Sequence, residues 1–224
     1  MNAVFFSDFD GTITEKDVIE SIMEQFAPPE WRKIHNSLME GVLDIDVGIR
    51  MMFNLIPYNK KEEIVEWVNK NVKLRDGFAS FLDFLNDNRI PFVVLSGGVD
   101  FYIYPLLEKY LNKISKIYSN RLVCDRGRMD VRFIYRCDRL CKRSCGVCKP
   151  YIIEKYYKNQ TLRLYAGDGI TDLDVSQYND IIFSTGGLAE YLKKINLRGK
   201  RVYQFNSFHD VIKVMKEYGE EILL

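Results

Sequence analysis

The stretch Val4-Phe5-Phe6-Ser7-Asp8-Phe9-Asp10-Gly11-Thr12 constrains this chain more than any other. Residues Ala3 to Phe6 form a short apolar run, long enough for a buried strand, and it stops at two aspartates one residue apart. On extended backbone, residues two apart point to the same side, so Asp8 and Asp10 face one small volume. Gly11 then lets the chain turn sharply. Open α/β sheets bind ligands at the carboxyl ends of their strands. Two carboxylates there suit a hard cation such as Mg²⁺; one can act as a nucleophile while the other moves a proton. A strand ending in a solvated acidic turn has the same pattern, so the rest of the chain has to decide.

The 224 residues suffice for one large domain or for a core with an insertion, and 47% hydrophobic residues argue for a globular chain. A formal net charge of +1 provides no global field for nucleic acid or an anionic membrane. The N-terminal residues lack a signal-peptide pattern, and no run reaches transmembrane length. The expectation is a soluble, cytoplasmic protein. Its five cysteines are then read as thiols or metal ligands rather than disulfides.

After Thr14 the period becomes helical. Thr14-x-x-Asp17 reads as a capping box, followed by Val18, Ile22 and Phe26 on one face. Pro28-Pro29 separates a second helix carrying Ile34 and Leu38 to Gly41. Asp44 starts a third with Ile45, Ile49, Met52 and Phe53, closed by Pro57, and Asn59 caps a fourth. Four helices with no strand between them predict a small bundle at residues 15–74. An α/β alternation then resumes: a helix over 76–88, the strand 92–95 ending in Ser96-Gly97-Gly98, and a helix over 99–112. Leu122 to Cys124 and Met129 to Tyr135 flank a Gly-containing loop and predict a β-hairpin. Cys137, Cys141, Cys145 and Cys148 follow, leading directly into Lys149-Pro150 and a helix. A strand over 162–166 ends in Gly167-Asp168-Gly169-Ile170-Thr171-Asp172. Strands at 181–183 and 202–205 and a last helix from Ser207 complete the chain, with no internal repeat. The predicted fold is α/β: a Rossmann-like parallel sheet from 1–14 and 75–224, a helical cap at 15–74, and a hairpin and cysteine-rich loop at 119–148.

Three strands thus end in polar clusters, Asp8/Asp10, Ser96-Gly97-Gly98 and Asp168/Asp172, and Lys149 opens a helix between the last two. A parallel sheet brings such ends to one edge. Phosphoryl transfer needs what they offer: a nucleophile, a metal, a cation and hydrogen-bond donors for the equatorial oxygens. Ser96 and the Gly97 N–H can hold phosphate oxygens, and Lys149 supplies a point charge. Asp168, with Asp8 and the Asp10 carbonyl, can complete a Mg²⁺ shell, and Asp172 can orient Lys149 or a metal-bound water.

By these residues the chain resembles the haloacid dehalogenase superfamily of phosphohydrolases. Asp8-Phe9-Asp10-Gly11-Thr12 is similar to its first motif, Ser96 to the second, Lys149 to the third and Gly167 to Asp172 to the fourth. The resemblance implies that Asp8 forms an aspartyl-phosphate. It also implies that Asp10 protonates the leaving oxygen and later activates water, and that the helical insert is the cap of the phosphoserine-phosphatase-like branch. Within that branch, Phe26 to Trp31, Ser96 to Phe101, Tyr104 to Glu108 and the Cys137 to Lys149 run resemble the methionine-salvage phosphatases of 2-hydroxy-3-keto-5-methylthiopentenyl 1-phosphate. Arg50 resembles a cap position of phosphoserine phosphatases. Asp17 stands where those enzymes carry a substrate-binding Glu. Arg50 and Asp17 are therefore the candidate readers of the non-phosphate part of a substrate.

The cysteine run reads as a Cys₄ zinc site, as two disulfides or as reduced thiols; only Cys145/Cys148 has the usual two-residue gap. Between Arg121 and Lys149 stand nine basic and three acidic residues, a field that suits a phosphorylated small molecule better than nucleic acid. His35 and His209 look like ordinary isolated histidines, and Trp31 and Trp67 like cap packing. The competing functions are a phosphoserine phosphatase and, in another class, a silent binding protein that uses the basic cysteine module for nucleic acid.

Overall fold

The computed structural model describes residues 3–137, 146–194, 197, 199–217 and 219. Strands β1 (Ala3–Ser7), β2 (Phe92–Val99), β3 (Lys116–Asp125), β4 (Arg128–Arg132), β5 (Leu162–Gly167), β6 (Ile181–Ser184) and β7 (Arg201–Gln204) form one sheet in the order β4-β3-β2-β1-β5-β6-β7. Every neighbour pair is parallel except β3 with β4. The chain therefore moves outward from β1 through β2 and β3, then returns to β5 on the other side. The reversal places a crevice at the carboxyl end of β1, where open sheets bind ligands.

All five residues of β1 are buried, as expected of a parallel strand covered on both faces. Phe5 and Phe6 alternate between two cores. Phe5 packs edge-on to Phe81 at 4.8 Å, and Phe81 stacks on Phe208 at 4.8 Å. These come from α5 (Phe78–Asp87) and α10 (Phe208–Glu217) on one face. Val4 and Phe6 face Ile152, Ile153 and Val175 of α7 (Lys149–Tyr156) and α8 (Leu173–Ser176) on the other. Truncating Phe5 to Ala would cost about 3–5 kcal/mol, the range for a fully buried aromatic.

Helices α1 (Val18–Phe26), α2 (Trp31–Met39), α3 (Ile45–Asn54) and α4 (Lys61–Asn71) lie between β1 and β2 in the chain, with no strand of the sheet among them. Asp17 rather than Thr14 caps α1, its Oδ1 accepting from Glu20 N at 2.9 Å. Thr14 is spent on the preceding loop, accepting from Gly11 N at 3.1 Å and donating to Lys16 O at 2.7 Å. Asn59 caps nothing; it lies in a 3₁₀ turn, Tyr58–Lys60, that runs into α4.

The hairpin also departs from expectation. Its first strand starts at Lys116, pairs parallel with β2 as far as Asn120 across a register shift, and from Arg121 pairs antiparallel with β4. The hairpin is thus a continuation of the central sheet. Its tip is joined to the helical segment by main-chain hydrogen bonds, Tyr58 N to Gly127 O at 2.9 Å and Met129 N to Ile56 O at 3.0 Å. Residues 133–135 do not extend β4. β2 is longer than expected and includes Ser96, Gly97 and Gly98. α6 (Asp100–Leu107) gives way to 3₁₀ turns over Glu108–Lys113, and α8 and α9 (Leu188–Lys193) carry too short a period to read from sequence. Among the described residues, no helix is long and apolar enough to cross a membrane.

Candidate active site

Asp8 is the first residue past β1, and its N–H continues the ladder to Ala166 O at 2.9 Å. Its Oδ1 accepts from Lys149 Nζ at 2.7 Å. The Lys149 ammonium also reaches Asp172 Oδ1 at 2.6 Å and Tyr165 Oη at 3.1 Å. Burial alone would lower the Lys149 pKa, but the Asp172 and Asp8 carboxylates outweigh it and raise it. The ammonium is therefore a fixed positive charge. Pro150 in the first turn of α7 suits the helix start that aims Lys149 at the strand ends.

Asp172 is fully saturated. Its Oδ1 accepts from Lys149 and Tyr165, and its Oδ2 from the N–H groups of Asp168 at 3.0 Å and Gly169 at 3.1 Å. A carboxylate offers about four acceptor positions. Asp172 thus orients Lys149 and the Asp168 turn, although its carboxylate lies within 4.8 Å of those of Asp8 and Asp168. Asp8 Oδ2 and Asp168 Oδ2 have no donor among the described residues, while Asp168 Oδ1 takes the Thr12 hydroxyl at 3.1 Å. Asp168 forms no ion pair among the described residues. Burial first, and the Asp172 charge second, raise its pKa to about 7. Burial likewise raises Asp8 despite Lys149. Three carboxylates around one lysine leave negative charge that a divalent cation would balance, and the two open oxygens suit a hard ion. The acidic cluster of Asp8, Asp168 and Asp172 fits a divalent cation.

Asp10 is held by three elements. Its Oδ1 accepts from Val18 N at 3.3 Å, its Oδ2 from the Ser96 hydroxyl at 3.3 Å, and Tyr102 Oη lies 3.2 and 3.1 Å from the two oxygens. Burial, then the charges of Asp17 and Asp8, raise its pKa well above the ordinary range, which suits a general acid. β2 slips register against β3 between Leu95 and Val99, and this bulge frees the Ser96-Gly97-Gly98 backbone. Ser96 Oγ accepts from Gly98 N at 2.9 Å, and Asn120 Nδ2 donates to Gly97 O at 2.7 Å. Gly11 has φ +77°, and a Cβ there would come within 2.9 Å of Asp168 Cγ, so the turn after Asp10 admits only glycine. Arg75 ties that turn down, donating to Thr12 O at 2.7 Å and Gly11 O at 2.5 Å.

A cavity of about 650 Å³ opens over this edge beneath α1, α2 and α3. Asp8, Asp10, Gly97, Lys149 and Asp168 line its floor. Asp17 lines it too, and desolvation raises its pKa to about 6. Arg50 does not line it. Its guanidinium donates to both Asp130 oxygens of β4 at 2.8 Å, so it joins α3 to the hairpin. His35, which the sequence marked as ordinary, does line the cavity and pairs with Glu20 at 2.8 Å. Sequence reasoning also passed over Tyr102, Tyr165, Arg75 and Asn120. Lone aromatic, arginine and asparagine residues carry no spacing signal, and only the fold aims them at the site. Cys141 and Cys145 lie outside the described residues, and with them the cysteine run read as a zinc site, two disulfides or reduced thiols. Cys148 donates its N–H to Tyr135 O at 2.8 Å just before Lys149.

Residues 5–177 match the haloacid dehalogenase-like hydrolase family. The chain belongs to this family. A relative from Bacillus velezensis, named 2-hydroxy-3-keto-5-methylthiopentenyl-1-phosphate phosphatase, is 36% identical over 95% of this chain and 89% of its own length. One from Bacillus thuringiensis with the same name is 38% identical over 98% and 99%. Among solved structures, a substrate-bound phosphoserine phosphatase complex superposes with a TM-score of 0.71, at 20% identity, covering 96% of this chain and 98% of that one. A phospho-aspartyl intermediate analogue of phosphoserine phosphatase gives 0.70, also at 20%, over 94% and 97%. Those two likenesses show that the chain shares the fold of these phosphoserine phosphatases.

Proposed function

We propose that this chain is a phosphoric monoester hydrolase acting on 2-hydroxy-3-keto-5-methylthiopentenyl 1-phosphate. One carboxylate oxygen of Asp8 attacks phosphorus while the other stays available to the metal ion, and the phosphoryl group passes from the substrate oxygen to the aspartate. Lys149 holds Asp8 in place and offsets charge on the phosphoryl oxygens, while Gly97 N–H and the Ser96 hydroxyl donate to them. Asp10 protonates the departing oxygen, then takes a proton from the water that cleaves the aspartyl-phosphate. Mg²⁺ bound by Asp8, Asp168 and the Asp10 carbonyl would supply charge neutralisation. Residues 15–74 serve as the cap that closes the cavity.

The observation that carries the substrate is the cavity's cap side. Ile19, Leu38, Ile45, Ile49 and Met52 make an apolar wall, and the charged cap residues lining it include Asp17, Glu20, Glu40 and Asp44. Among the described lining residues, Lys149 is the only Lys or Arg. A substrate carboxylate such as that of phosphoserine would meet carboxylates with Arg50 turned away. A keto-enol phosphate with a methylthioethyl tail carries no carboxylate and has an apolar end to bury. At ~0.8 kcal/mol per buried methylene, such a tail contributes about 2 kcal/mol. The relatives' shared name supports the same reading.

Side-by-side kcat/KM for the keto-enol phosphate and phosphoserine tests the substrate, and a preference for phosphoserine overturns it. Activity should vanish in EDTA and return with Mg²⁺. Hydrolysis of a generic aryl phosphate separates an enzyme from a silent binder. The cysteine run carries no part of this reading. Metal content and thiol counting of the purified protein decide between Zn²⁺, disulfides and thiols there.

A further inference from the structure

We propose that Tyr102 is a positioning residue for proton delivery by Asp10, and that it governs how well this site expels a basic leaving group. The inference rests on the phosphomonoesterase reading above. Tyr102 lies in the first turn of α6, fully buried, with its ring against Phe9 and Phe101 at centroid distances of 6.3 and 5.4 Å. A phenylalanine would fill that space as well. The hydroxyl needs a partner there, because a buried polar group without one is costly. Its partner is the Asp10 carboxyl, with Oη 3.2 Å from Oδ1 and 3.1 Å from Oδ2. The backbone makes room for this pair: a Cβ on Gly98 would lie 2.5 Å from Asp10 Oδ2 and nearer still to the Tyr102 hydroxyl.

The other restraints on Asp10 are weaker or shared. Val18 N and Ser96 Oγ are each 3.3 Å away, slightly farther than the Tyr102 hydroxyl, whose own contacts are long for O–H···O. Ser96 is also wanted by the phosphate in the proposed reaction. Among the described residues the Tyr102 hydroxyl donates to Asp10 alone, and the Val99 backbone also hydrogen-bonds to it. Being nearly equidistant from both oxygens, its hydroxyl can donate to whichever one does not carry the transferred proton. The balance is simple: the Asp10 proton goes to the departing oxygen, the water proton returns to Asp10, and Tyr102 keeps its own throughout. Removing the hydroxyl leaves the Asp8 attack and the phosphate donors in place. It loosens only the acid, so the loss should grow with the basicity of the leaving oxygen.

The test is Tyr102→Phe in the full chain with Mg²⁺, measured on aryl and alkyl phosphates spanning a range of leaving-group pKa. General acid catalysis contributes roughly 10²–10⁴-fold, so loss of alignment should reduce kcat on alkyl esters by about tenfold to hundredfold. The reduction on p-nitrophenyl phosphate should be smaller by at least about tenfold, giving a steeper leaving-group dependence. Inhibition by inorganic phosphate should hold near the wild-type constant, and 3-fluorotyrosine at position 102, which keeps the hydroxyl, should retain the wild-type slope. Equal losses across the series, or none, overturn the proposal. Loss of the wild-type slope with 3-fluorotyrosine also overturns it, and that variant decides if Tyr102→Phe does not fold. A wild-type chain that hydrolyses none of the esters overturns the phosphatase reading itself, and this inference with it.

Discussion

Lys149 and Arg50 are both clasped by carboxylates, yet their surroundings give them opposite roles. The Lys149 side chain is 5% exposed between Asp8 and Asp172, at 9% and 0%. The Arg50 side chain is 52% exposed against Asp130 at 12%. Taking charges out of water is expensive, and pairing often only breaks even. A buried cluster with more carboxylates than cations is therefore poor as a stabilising device and well suited to chemistry. The exposed fork costs little and contributes little, typically ~0.2–1 kcal/mol. It serves to seat α3 on the β3–β4 hairpin beside the main-chain bonds at Ile56 and Tyr58. Charge and residue type read the same in the sequence at both places; desolvation separates them.

Removing the nucleophile tests the buried side most severely. Asp8→Asn should lower kcat by at least about 10³-fold, since losing a residue that acts as part of a catalytic unit costs nearly the whole unit. Steady-state kinetics on a folded variant checks this, and a wild-type rate would end the mechanism. Lys149→Met should leave Asp8 and Asp172 buried without their cation. Breaking one side of such a pair costs about 3–5 kcal/mol. Thermal unfolding in EDTA should then show a Tm lower by on the order of 10 °C.

The cap wall gives an intermediate effect. Met52→Ala should reduce kcat/KM for the methylthio substrate by up to about thirtyfold, the equivalent of about 2 kcal/mol of lost burial. It should do so more than for a tail-less phosphate. A loss shared equally by both substrates would move the tail elsewhere. Arg50→Ala should have the smallest effect, about 1 kcal/mol or less in stability, without reversing the preference for the keto-enol phosphate over phosphoserine. Arg50 holds the Asp130 carboxyl below its ordinary pKa. The folded pKa is therefore the lower one. The stability this pair contributes is fully present above the unfolded pKa of about 3.9 and is lost as pH falls toward the folded value. Urea titrations at pH 7 and pH 3 should show the wild-type and Arg50→Ala midpoints converging in acid. Midpoints that diverge in acid would assign Asp130 some other partner.

The convergence of Asp8, Asp10, Lys149 and Asp168 on one sheet edge was legible from residue order because its signals are local. A strand followed by two aspartates, a Lys-Pro and a Gly-Asp-Gly each mark a strand or helix end, and parallel pairing carries such ends to one edge; Ser-Gly-Gly marks a bulge inside β2 rather than its end. Asp172 was read from sequence as able to orient Lys149 or a metal-bound water; in the fold it accepts from Lys149, Tyr165 and the Asp168 and Gly169 N–H groups. The segment 15–74 was legible as four helices but not as surfaces. A 3.6-residue period shows which face of α3 is apolar, and says nothing about whether the Arg50 on its other side meets the cavity or the hairpin.

By itself, then, the sequence determined the α/β order, the buried β1 and the polar cluster that follows it, because apolar runs and turn residues act over a few positions. Only the tertiary structure decided that Arg50 faces Asp130, that His35 and Glu20 line the cavity, and that Tyr102 meets Asp10 across a separation of 92 residues. The physical reason lies in the bulge of β2 against β3 and the main-chain joint between hairpin and cap. Both are set by hydrogen bonds between distant backbone segments, which no side-chain pattern in either segment encodes.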